Sequence, residues 1–363
     1  MESKALVMRH IPGKKGEVYY PIEVATLKVP KPQGTQLLVR ISAAALNHRD
    51  LFLRHDLYPK PQFGMAMGSD GVGVVVDMGP QASGLWMRQR VIINPGQGWV
   101  SHPEAPESPE GYLTLGASPA GTGTLQQYML VDEADVVMAP EHLSDAEAAA
   151  IPAAGLTAWR GLMARSQNAV PGRNILVPGI GGGVALYVLR FAVALGCRVY
   201  VTSSSSEKLR RAKELGAAGG VLYTEPDWES KLLALLPAER KTFDAIIDGA
   251  GGEIVKSGVK LLRNNGVIVS YGMTVSPTMP YTMKALVRNI QLVGTTMGSR
   301  KEFHDMMQFI RTHKIHSNVS TVVQGLTVEK ADELEELFRI LAKGSQFGKL
   351  VVQIWQDGRE SRL

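Results

Sequence analysis

The stretch that most constrains this chain is residues 174–206, NILVPGIGGGVALYVLRFAVALGCRVYVTSSSS. It reads as a short apolar strand, a turn crowded with glycine, a long apolar helix and a second strand rich in β-branched residues. A tight turn from strand to helix needs positive φ, which glycine adopts without steric strain. Gly196 follows the apolar run, where a glycine commonly ends a helix. The pattern therefore predicts a strand–turn–helix–strand unit of a parallel sheet.

The glycines of this turn also suit a phosphate-bearing ligand, because bare backbone lets a pyrophosphate approach the N–H groups at a helix N-terminus. The spacing fits a loose GxxGxxA fingerprint through Gly179, Gly182 and Ala185, since Val184 occupies the place of the last glycine in a strict GxGxxG. A glycine-rich turn without a ligand is the alternative. The residues expected to bind a dinucleotide are Gly179, Gly181, Gly182, Gly183 and Val184.

Bulk properties narrow the class of protein. The chain has 363 residues, a length that favours two domains. Cys197 is its one cysteine, which excludes intrachain disulfides and thiolate metal clusters. The net charge is +5, but Lys and Arg are scattered, and no apolar run reaches the roughly 18 residues of a membrane span. We expect a small-molecule partner, and neither nucleic acid nor a membrane.

The two halves of the chain differ in pattern. Residues 1–140 read as β-rich, with a short helix at 47–57 and a long aperiodic segment at 94–124. Ser144, with Glu147 three residues later, forms a capping-box pattern, after which strands and helices alternate. The strands predicted in the alternating part are 174–177, 198–202, 220–223, 243–248, 267–271 and 290–296. Strands joined by crossover helices in this way predict a doubly wound parallel sheet of Rossmann type.

Several motifs, taken in order, resemble the medium-chain dehydrogenase/reductase superfamily. Besides the glycine turn they are AALNHRD at 44–50, GSDGVGVV at 68–75, AAGLTAW at 153–159 and FGKLVV at 347–352. The resemblance implies an α/β protein in which a Rossmann domain accompanies a β-rich, GroES-like catalytic domain. The expected domains are 1–140 together with 300–363, and 141–299.

The sequence departs from the zinc enzymes of that superfamily at their metal ligands. Those enzymes place a cysteine in C-H-[ST]-D and a histidine in G-H-E, whereas Asn47 and Ser69 stand at these positions here. A catalytic zinc needs three protein ligands with soft or imidazole donors. The four-cysteine lobe of the zinc enzymes corresponds to residues 94–124, which hold no cysteine. We therefore expect no metal, and the chain resembles the zinc-free quinone oxidoreductase-like branch.

Hydride transfer to a conjugated C=C bond or a quinone needs little help from a metal, because the π-system carries the arriving electrons to a remote oxygen. The candidate catalytic residues are Asn47, a neutral donor at the metal-ligand position, and Tyr58, in an L-Y-P context shared with zinc-free relatives. Asn47 could instead tie two backbone segments, and Tyr58 could be a pocket wall. Thr157 matches a threonine that borders the nicotinamide in relatives, and a hydroxyl bonded to its own helix is the alternative.

The end of the second Rossmann strand favours NADP(H). A protein that uses NAD normally has Asp or Glu there, whereas this chain has Ser203 and Ser204, and its first carboxylate is Glu207. Hydroxyls and Lys208 suit a 2′-phosphate, although Lys208 and its neighbour Arg211 could be solvated helix charges. The other residues that we expect to contact the cofactor are Tyr223, Gly249, Gly272 and Lys349.

The leading hypothesis is an NADPH-dependent, zinc-independent reductase of an enone, quinone or related carbonyl. The alternatives are an NADP-dependent secondary-alcohol dehydrogenase and a cofactor-binding protein with a structural or regulatory role. The apolar predicted edge strand at 290–296 favours a homodimer. Ser361-Arg362-Leu363 differs from a Ser-Lys-Leu peroxisomal signal only in its cation. We expect a cytoplasmic location, or a peroxisomal one if the source is eukaryotic.

Overall fold

The computed structural model describes residues 1–58, 61–117 and 121–355, so the predicted signal at 361–363 lies outside the described residues. The chain divides into two units, one formed by Met1–Ala153 with Ser299–Leu363 and the other by Ala154–Gly298. The first boundary follows Ala153, whereas the sequence placed it after residue 140. The difference arises because the helix Asp145–Ala149 packs against strands of the first unit.

The first unit begins with many strands and few helices, as its β-rich sequence pattern predicts. Its elements up to the boundary are β1 Glu2–Met8, β2 Ile22–Lys28, β3 Gln36–Ala45, α1 His48–Arg54, β4 Asp70–Met78, β5 Arg90–Ile93, β6 Gly96–Gln97, β7 Leu113–Thr114, β8 Tyr128–Asp132, β9 Val136–Met138 and α2 Asp145–Ala149. β5 and β9 were not predicted, because strands of four and three residues are too short to show alternation.

The second unit follows the predicted alternation. Its elements, beginning with a helix that straddles the boundary, are α3 Pro152–Arg160, β10 Asn174–Val177, α4 Gly183–Ala194, β11 Arg198–Ser203, α5 Ser206–Glu214, β12 Gly219–Leu222, α6 Trp228–Ala234, β13 Phe243–Asp248, α7 Ile254–Leu261, β14 Leu262–Ser270, α8 Met283–Val287 and β15 Gln291–Gly294. The short helix α8 was not predicted. The sheet order β12-β11-β10-β13-β14-β15 is parallel throughout, which confirms the doubly wound fold.

The chain then returns to the first unit. The elements of the return are α9 Arg300–His313, β16 Val319–Gln324, α10 Ala331–Lys343 and β17 Lys349–Gln353. β17 pairs antiparallel with β3, so that Val351 lies opposite Ala45 and the final strand enters the main sheet of this unit. That sheet has the order β16-β17-β3-β4-β5-β9, with β8 paired to β3. The pairing brings Lys349, the first residue of β17, close to the segment that follows β3.

Each unit has its own apolar core. In the first, the inward residues of β3, β4 and β8 pack with the apolar face of α10, through residues such as Leu37, Val39 and Phe338. In the second, β13 and β14 pack against α7 and α8, with Phe243 and Ile268 fully buried. No helix in the described part of the chain is long and apolar enough to cross a bilayer.

Candidate active site

The glycine turn forms the predicted junction between β10 and α4. Gly179 has a φ of 62°, in the left-handed region that favours glycine, and its N–H donates to Thr202 Oγ1 at 3.2 Å. The N–H of Ile180 donates to the Thr202 carbonyl at 2.8 Å, which ties the turn to β11. A Cβ at Gly179 or Gly182 would meet no described atom within 4 Å. The turn therefore leaves room for a phosphate at the N-terminus of α4.

The serine run continues from β11 into the cap of α5. Ser203 is buried and Ser204 is exposed, while Ser205 Oγ accepts the N–H of Lys208 at 3.3 Å. The N–H of Tyr223 donates to the Ser203 carbonyl at 3.0 Å, and the Tyr223 side chain is 46% exposed. The structure thus brings the predicted phosphate contacts Ser203, Ser204 and Tyr223 to adjacent strand ends, beside the first turn of α5.

The first carboxylate after β11 is already engaged. Glu207 accepts a hydrogen bond from Arg210 at 2.6 Å, and this bond lowers the pKa of the Glu207 carboxyl. Partial burial, together with the charge of Arg211, lowers the pKa of the Lys208 ammonium. The polar groups at the end of β11 are therefore the hydroxyls of Ser203 and Ser204 and the Lys208 ammonium. The Glu207 carboxylate is bonded to Arg210 on the same helix, α5.

Two further predicted residues lie at the ends of neighbouring strands. A Cβ at Gly249 would lie 2.3 Å from the ring of Tyr271, so this position must be glycine for the ring to pack. Ser270 Oγ donates to the Gly272 carbonyl at 3.1 Å. Asp248 accepts the N–H of Gly251 at 2.7 Å, and burial raises the pKa of its carboxyl to about 6. Because the sheet is parallel, these strand ends share an edge with the glycine turn.

Thr157 lies on α3 and is 7% exposed. Its hydroxyl donates to the sulfur of Met297 at 3.6 Å, which holds α3 against the segment that follows β15. This bond differs from the helix-backbone bond that was the alternative interpretation. Its predicted contact with a nicotinamide stays a prediction.

A second group of site residues gathers in the first unit, around the start of α1. Asn47 precedes α1, and its backbone N–H donates to Asp50 Oδ2 at 2.8 Å. Asn47 Nδ2 donates to Ser69 Oγ at 3.3 Å. The two positions that hold metal ligands in zinc enzymes are thus joined by a side-chain hydrogen bond.

Lys349 completes this group from a distant part of the chain. Its Nζ donates to Asn47 Oδ1 at 2.5 Å and to Asp70 Oδ2 at 2.9 Å. The Lys349 side chain is 5% exposed and the Asp70 side chain is fully buried. The other Asp70 oxygen accepts the N–H of Ala153 at 2.9 Å. This buried ion pair is therefore hydrogen-bonded on both sides, as a buried pair must be to persist.

The ammonium also fixes the orientation of the Asn47 amide. Lysine has three donors and no acceptor, so the atom of Asn47 that faces it must be the oxygen. The nitrogen then faces Ser69, and the amide presents donors on the side away from the ammonium. Lys349, predicted as a cofactor contact, lies in a different unit from the glycine turn and holds Asn47 and Asp70.

Two groups with buried, unpartnered donors were not predicted as site residues. Arg49 Nη1 donates to Asp50 Oδ1 at 3.0 Å, and the guanidinium lies 5.1 Å from the centroid of the Tyr58 ring. Its Nε and Nη2 are buried and have no hydrogen-bond partner in the described parts of the chain. The Tyr112 hydroxyl is likewise buried and without a partner among those residues. Tyr58 therefore contacts this cluster through the Arg49 cation over its ring, and its predicted catalytic role stays a prediction.

The segment that corresponds to the four-cysteine lobe is organised by a carboxylate. Glu107 accepts the N–H groups of Val100, Ser101 and His102 at 2.6, 2.7 and 2.7 Å. These backbone hydrogen bonds lower the pKa of the Glu107 carboxyl to about 2. Trp99 adds a bond from its indole N–H to the His102 carbonyl at 2.6 Å. The backbone of residues 100–102 is therefore held by hydrogen bonds to one anionic side chain, that of Glu107.

Comparison with known proteins agrees with this architecture. A family described as zinc-binding dehydrogenase matches residues 183–312, and one described as alcohol dehydrogenase GroES-like domain matches residues 33–141. The zinc-type alcohol dehydrogenase-like protein YogA of Leptosphaeria maculans is 48% identical over 356 residues, which cover 96% of this chain and 99% of that protein. The acryloyl-coenzyme A reductase of Metallosphaera sedula is 24% identical, over 91% of this chain and 96% of that protein.

A crystal structure described as an NAD-dependent alcohol dehydrogenase superposes with a TM-score of 0.83 at 33% identity, covering 97% of this chain and 100% of that one. Fold and family matches together define an oxidoreductase with a GroES-like unit and a Rossmann unit. The chain belongs to the medium-chain dehydrogenase/reductase superfamily.

The family description implies zinc, and the residues of this chain do not fit it. Asn47 and Ser69 bond to each other, and the ammonium of Lys349 lies 2.5 Å from the Asn47 oxygen that would have to face a metal cation. No group of three or more His, Cys, Asp or Glu suited to a metal occurs among residues 1–58, 61–117 and 121–355. The ammonium of Lys349 thus contacts Asn47, the residue that stands at a metal-ligand position of the zinc enzymes.

Proposed function

We propose that this chain is a zinc-independent, NADPH-dependent reductase that adds hydride to an enone, a quinone or a related conjugated carbonyl. The observation that carries the proposal is the Lys349–Asn47 contact of 2.5 Å, which supplies a protein cation and an oriented amide donor in place of a metal. A conjugated acceptor needs only such a donor, because its π-system delivers the charge to an oxygen. The acryloyl-coenzyme A reductase relative, whose name specifies a conjugated acyl group, supports this substrate class.

The glycine turn fits a nicotinamide dinucleotide, because Gly179 and Gly182 leave open space beside the N-terminus of α4. When bound, that cofactor supplies the hydride. Asn47 Nδ2 donates toward the substrate oxygen, while Lys349 and Asp70 hold the amide in one orientation. Tyr58 forms a wall of the same cluster, stacked on Arg49.

The proposed activity is tested by measuring the consumption of NADPH in the presence of candidate acceptors. Purified protein is mixed with NADPH and a panel of quinones, enones and aldehydes, and the loss of absorbance of the reduced cofactor is followed. Reduction of conjugated acceptors with little reduction of saturated aldehydes supports the proposal. A preference for secondary alcohols with oxidised cofactor would replace it with the alcohol dehydrogenase function. One tightly held zinc per chain, with activity lost to chelators, would contradict zinc independence.

The preference for NADPH follows from the engaged Glu207 and from the cation Lys208 beside Ser203 and Ser204. We expect at least about tenfold tighter binding of NADPH than of NADH, equivalent to roughly 1.4 kcal/mol. Lys208→Ala should weaken NADPH and leave NADH little changed, with Lys213→Ala on the same helix as the control. Equal weakening of both cofactors would show that Lys208 does not recognise the 2′-phosphate.

A homodimer is the assembly that the second unit favours. β15 is the edge strand of its sheet, and the segment before it exposes large apolar side chains. Val275 is 76% exposed, Met283 72% and Val287 71%. An apolar edge of this kind is normally covered in solution. Light scattering at micromolar concentration should give twice the chain mass, and Val287→Lys should shift it toward one chain. A monomeric wild type would contradict the proposal.

A further inference from the structure

Three arginines of the second unit share one carboxylate oxygen. Asp244 Oδ1 accepts hydrogen bonds from Arg173 Nη1 and Arg240 Nη1 at 2.8 Å each, and from Arg263 Nε at 3.2 Å. The side chains of the three arginines are 35%, 36% and 34% exposed in that order, whereas the Asp244 side chain is 1% exposed. Because the three donors meet at one atom, the guanidiniums lie next to one another at the surface. They are called the arginine cluster below.

The parallel sheet brings the arginine cluster together. Asp244 lies on β13, while Arg173 directly precedes β10 and Arg263 is the second residue of β14, the two strands that flank β13. Arg240 reaches the same carboxylate from the turn before β13. Asn174 holds that turn, because its Nδ2 donates to the Arg240 carbonyl at 2.8 Å and its backbone N–H donates to Asp244 Oδ2 at 2.9 Å. The guanidiniums are therefore held in place before any ligand arrives.

The arginine cluster carries an excess of positive charge. One carboxylate balances one of the three guanidiniums, so two positive charges remain. The acid that precedes the cluster in the chain, Glu239, is bonded to Arg198 at 2.8 Å, and this pair adds no net charge. The ratio is reversed at Arg210, which Glu207 and Glu214 share. Like charges held this close repel one another, and a second anion beside them relieves the repulsion.

The guanidiniums keep donors for such an anion. In Arg173 and in Arg240, Nε and Nη2 make no hydrogen bond to the described residues of the chain. In Arg263, Nη1 donates to the Asn264 carbonyl at 3.0 Å and Nη2 is left over. Since the three side chains are partly exposed, a ligand reaches these N–H groups from solvent. Arginine binds phosphate oxygens through pairs of parallel N–H groups and stays charged at any physiological pH.

We infer that Arg173, Arg240 and Arg263 bind a dianionic phosphate group, either free inorganic phosphate or the phosphate of a small ester. A dianion matches the two uncompensated charges, and adjacent guanidiniums suit a group with several acceptor oxygens. The site lies at the amino ends of β10, β13 and β14, whereas the glycine turn follows the carboxyl end of β10. A bound phosphate therefore stabilises the second unit without displacing a cofactor from the glycine turn.

Calorimetric titration of inorganic phosphate into the full-length protein tests the site. The titration is run at about pH 8, where phosphate is mostly dianionic, with ionic strength held constant by sodium chloride. Arg173→Gln and Arg240→Gln should each weaken phosphate binding by at least about tenfold, and both should fold because Asp244 keeps two guanidiniums. Arg339→Gln, at an exposed position of the first unit, should bind phosphate as the wild type does. A wild type that binds no phosphate, or unchanged binding in both cluster variants, would overturn the inference.

Further measurements locate the phosphate and identify its source. Lys208→Ala, at the opposite edge of the sheet, should keep phosphate binding. Loss of binding there, with binding kept in Arg240→Gln, would place the phosphate at the cofactor edge and overturn the inference. In thermal unfolding, phosphate should raise the Tm of the wild type more than that of Arg240→Gln, whereas an equal rise would show only the general effect of the salt and contradict the site. Tighter binding of glycerol 3-phosphate than of inorganic phosphate indicates an ester as the ligand, and equal or weaker binding indicates the free ion.

Discussion

The glycine turn and the Asn47 cluster are built in different ways. The turn is built from backbone within one short stretch of chain, and its residues need only to be small and to adopt the right φ, as Gly179 does at 62°. The cluster is built from side chains, and Lys349 lies 302 residues from Asn47 and 279 from Asp70. The proposed site in the first unit therefore depends on buried charges that only the tertiary fold brings together, whereas the proposed site in the second depends on local backbone geometry.

This difference predicts how each site responds to substitution. A change in the turn should affect cofactor affinity with a small loss of stability. A change in the cluster should affect stability and turnover while cofactor affinity is kept. Substitutions in the two sites should therefore separate loss of stability from loss of cofactor affinity.

Lys349→Met leaves the buried Asp70 carboxylate without its partner. We expect the free energy of unfolding to fall by roughly 3–5 kcal/mol and turnover to fall with it, because Asn47 loses its fixed orientation. Urea denaturation and steady-state kinetics measure the two effects. The double variant Lys349→Met with Asp70→Asn should regain most of the stability but not the turnover. A selective loss of NADPH affinity would instead support the predicted cofactor contact of Lys349.

Asp248→Asn tests a buried carboxyl at a strand end of the second unit. Its pKa is about 6 in the folded protein against an ordinary value of 3.8, so the folded state binds the proton more tightly. The stability that this group contributes is present at low pH and is lost as pH rises from about 4 to about 6, by roughly 3 kcal/mol. Urea midpoints at pH 4.5 and 7 should converge in Asp248→Asn. Asp305→Asn, on an exposed face, should leave the pH slope unchanged.

Gly179→Ala places a methyl group in the space beside the N-terminus of α4. We expect NADPH affinity to fall more than tenfold, while stability falls by only about 1–2 kcal/mol from the left-handed backbone. Fluorescence titration of the cofactor measures the first effect. Gly344→Ala is a matched control, since Gly344 has a φ of 61° and a Cβ that meets no described atom within 4 Å, but caps α10 in the first unit. Equal cofactor loss in both variants would contradict the prediction.

Glu107→Gln should give the smallest effect, confined to the segment around residues 99–108. The amide has one acceptor oxygen where the carboxylate offers two, so the bonds to Val100, Ser101 and His102 weaken together. We expect faster proteolysis of this segment, with NADPH affinity unchanged. In the wild type the contribution of Glu107 should persist well below the ordinary carboxyl pKa and disappear as pH falls toward about 2. Wild-type cleavage rates would show that Glu107 does not hold the segment.

The Rossmann half was predictable because its signals are local. The strand and helix periodicity of 174–206 predicted β10 at its observed bounds and α4 and β11 within a residue, and the separate apolar run at 243–248 predicted β13 at its observed bounds. The doubly wound parallel sheet was confirmed. The capping box at Ser144 was also confirmed, because both of its residues lie in one turn. Short strands such as β5 were missed because few residues carry the alternation.

The charged cluster was only partly predictable. Asn47 was proposed because it stands at a known metal-ligand position of the zinc enzymes, and Tyr58 because its L-Y-P context is shared with zinc-free relatives. The pairing of Lys349 with Asp70 depends on β17 pairing with β3, which no local pattern encodes. For Arg49, the one available signal was that it lies two residues from Asn47 in the AALNHRD motif, where the zinc enzymes have Ser or Thr.

The use of a carboxylate, Glu107, to hold the segment around residues 99–108 affects how that segment responds to oxidants and chelators. A carboxylate cannot be oxidised to a disulfide or a sulfinic acid, and no chelator can extract it, whereas four thiolates around zinc are open to both kinds of damage. The one thiol of the chain, Cys197, is buried, and burial raises its pKa, so it is a poor nucleophile toward peroxide. The described segment around Glu107 should therefore keep its hydrogen bonds in peroxide and in chelators, to which a lobe held by four thiolates around zinc is sensitive.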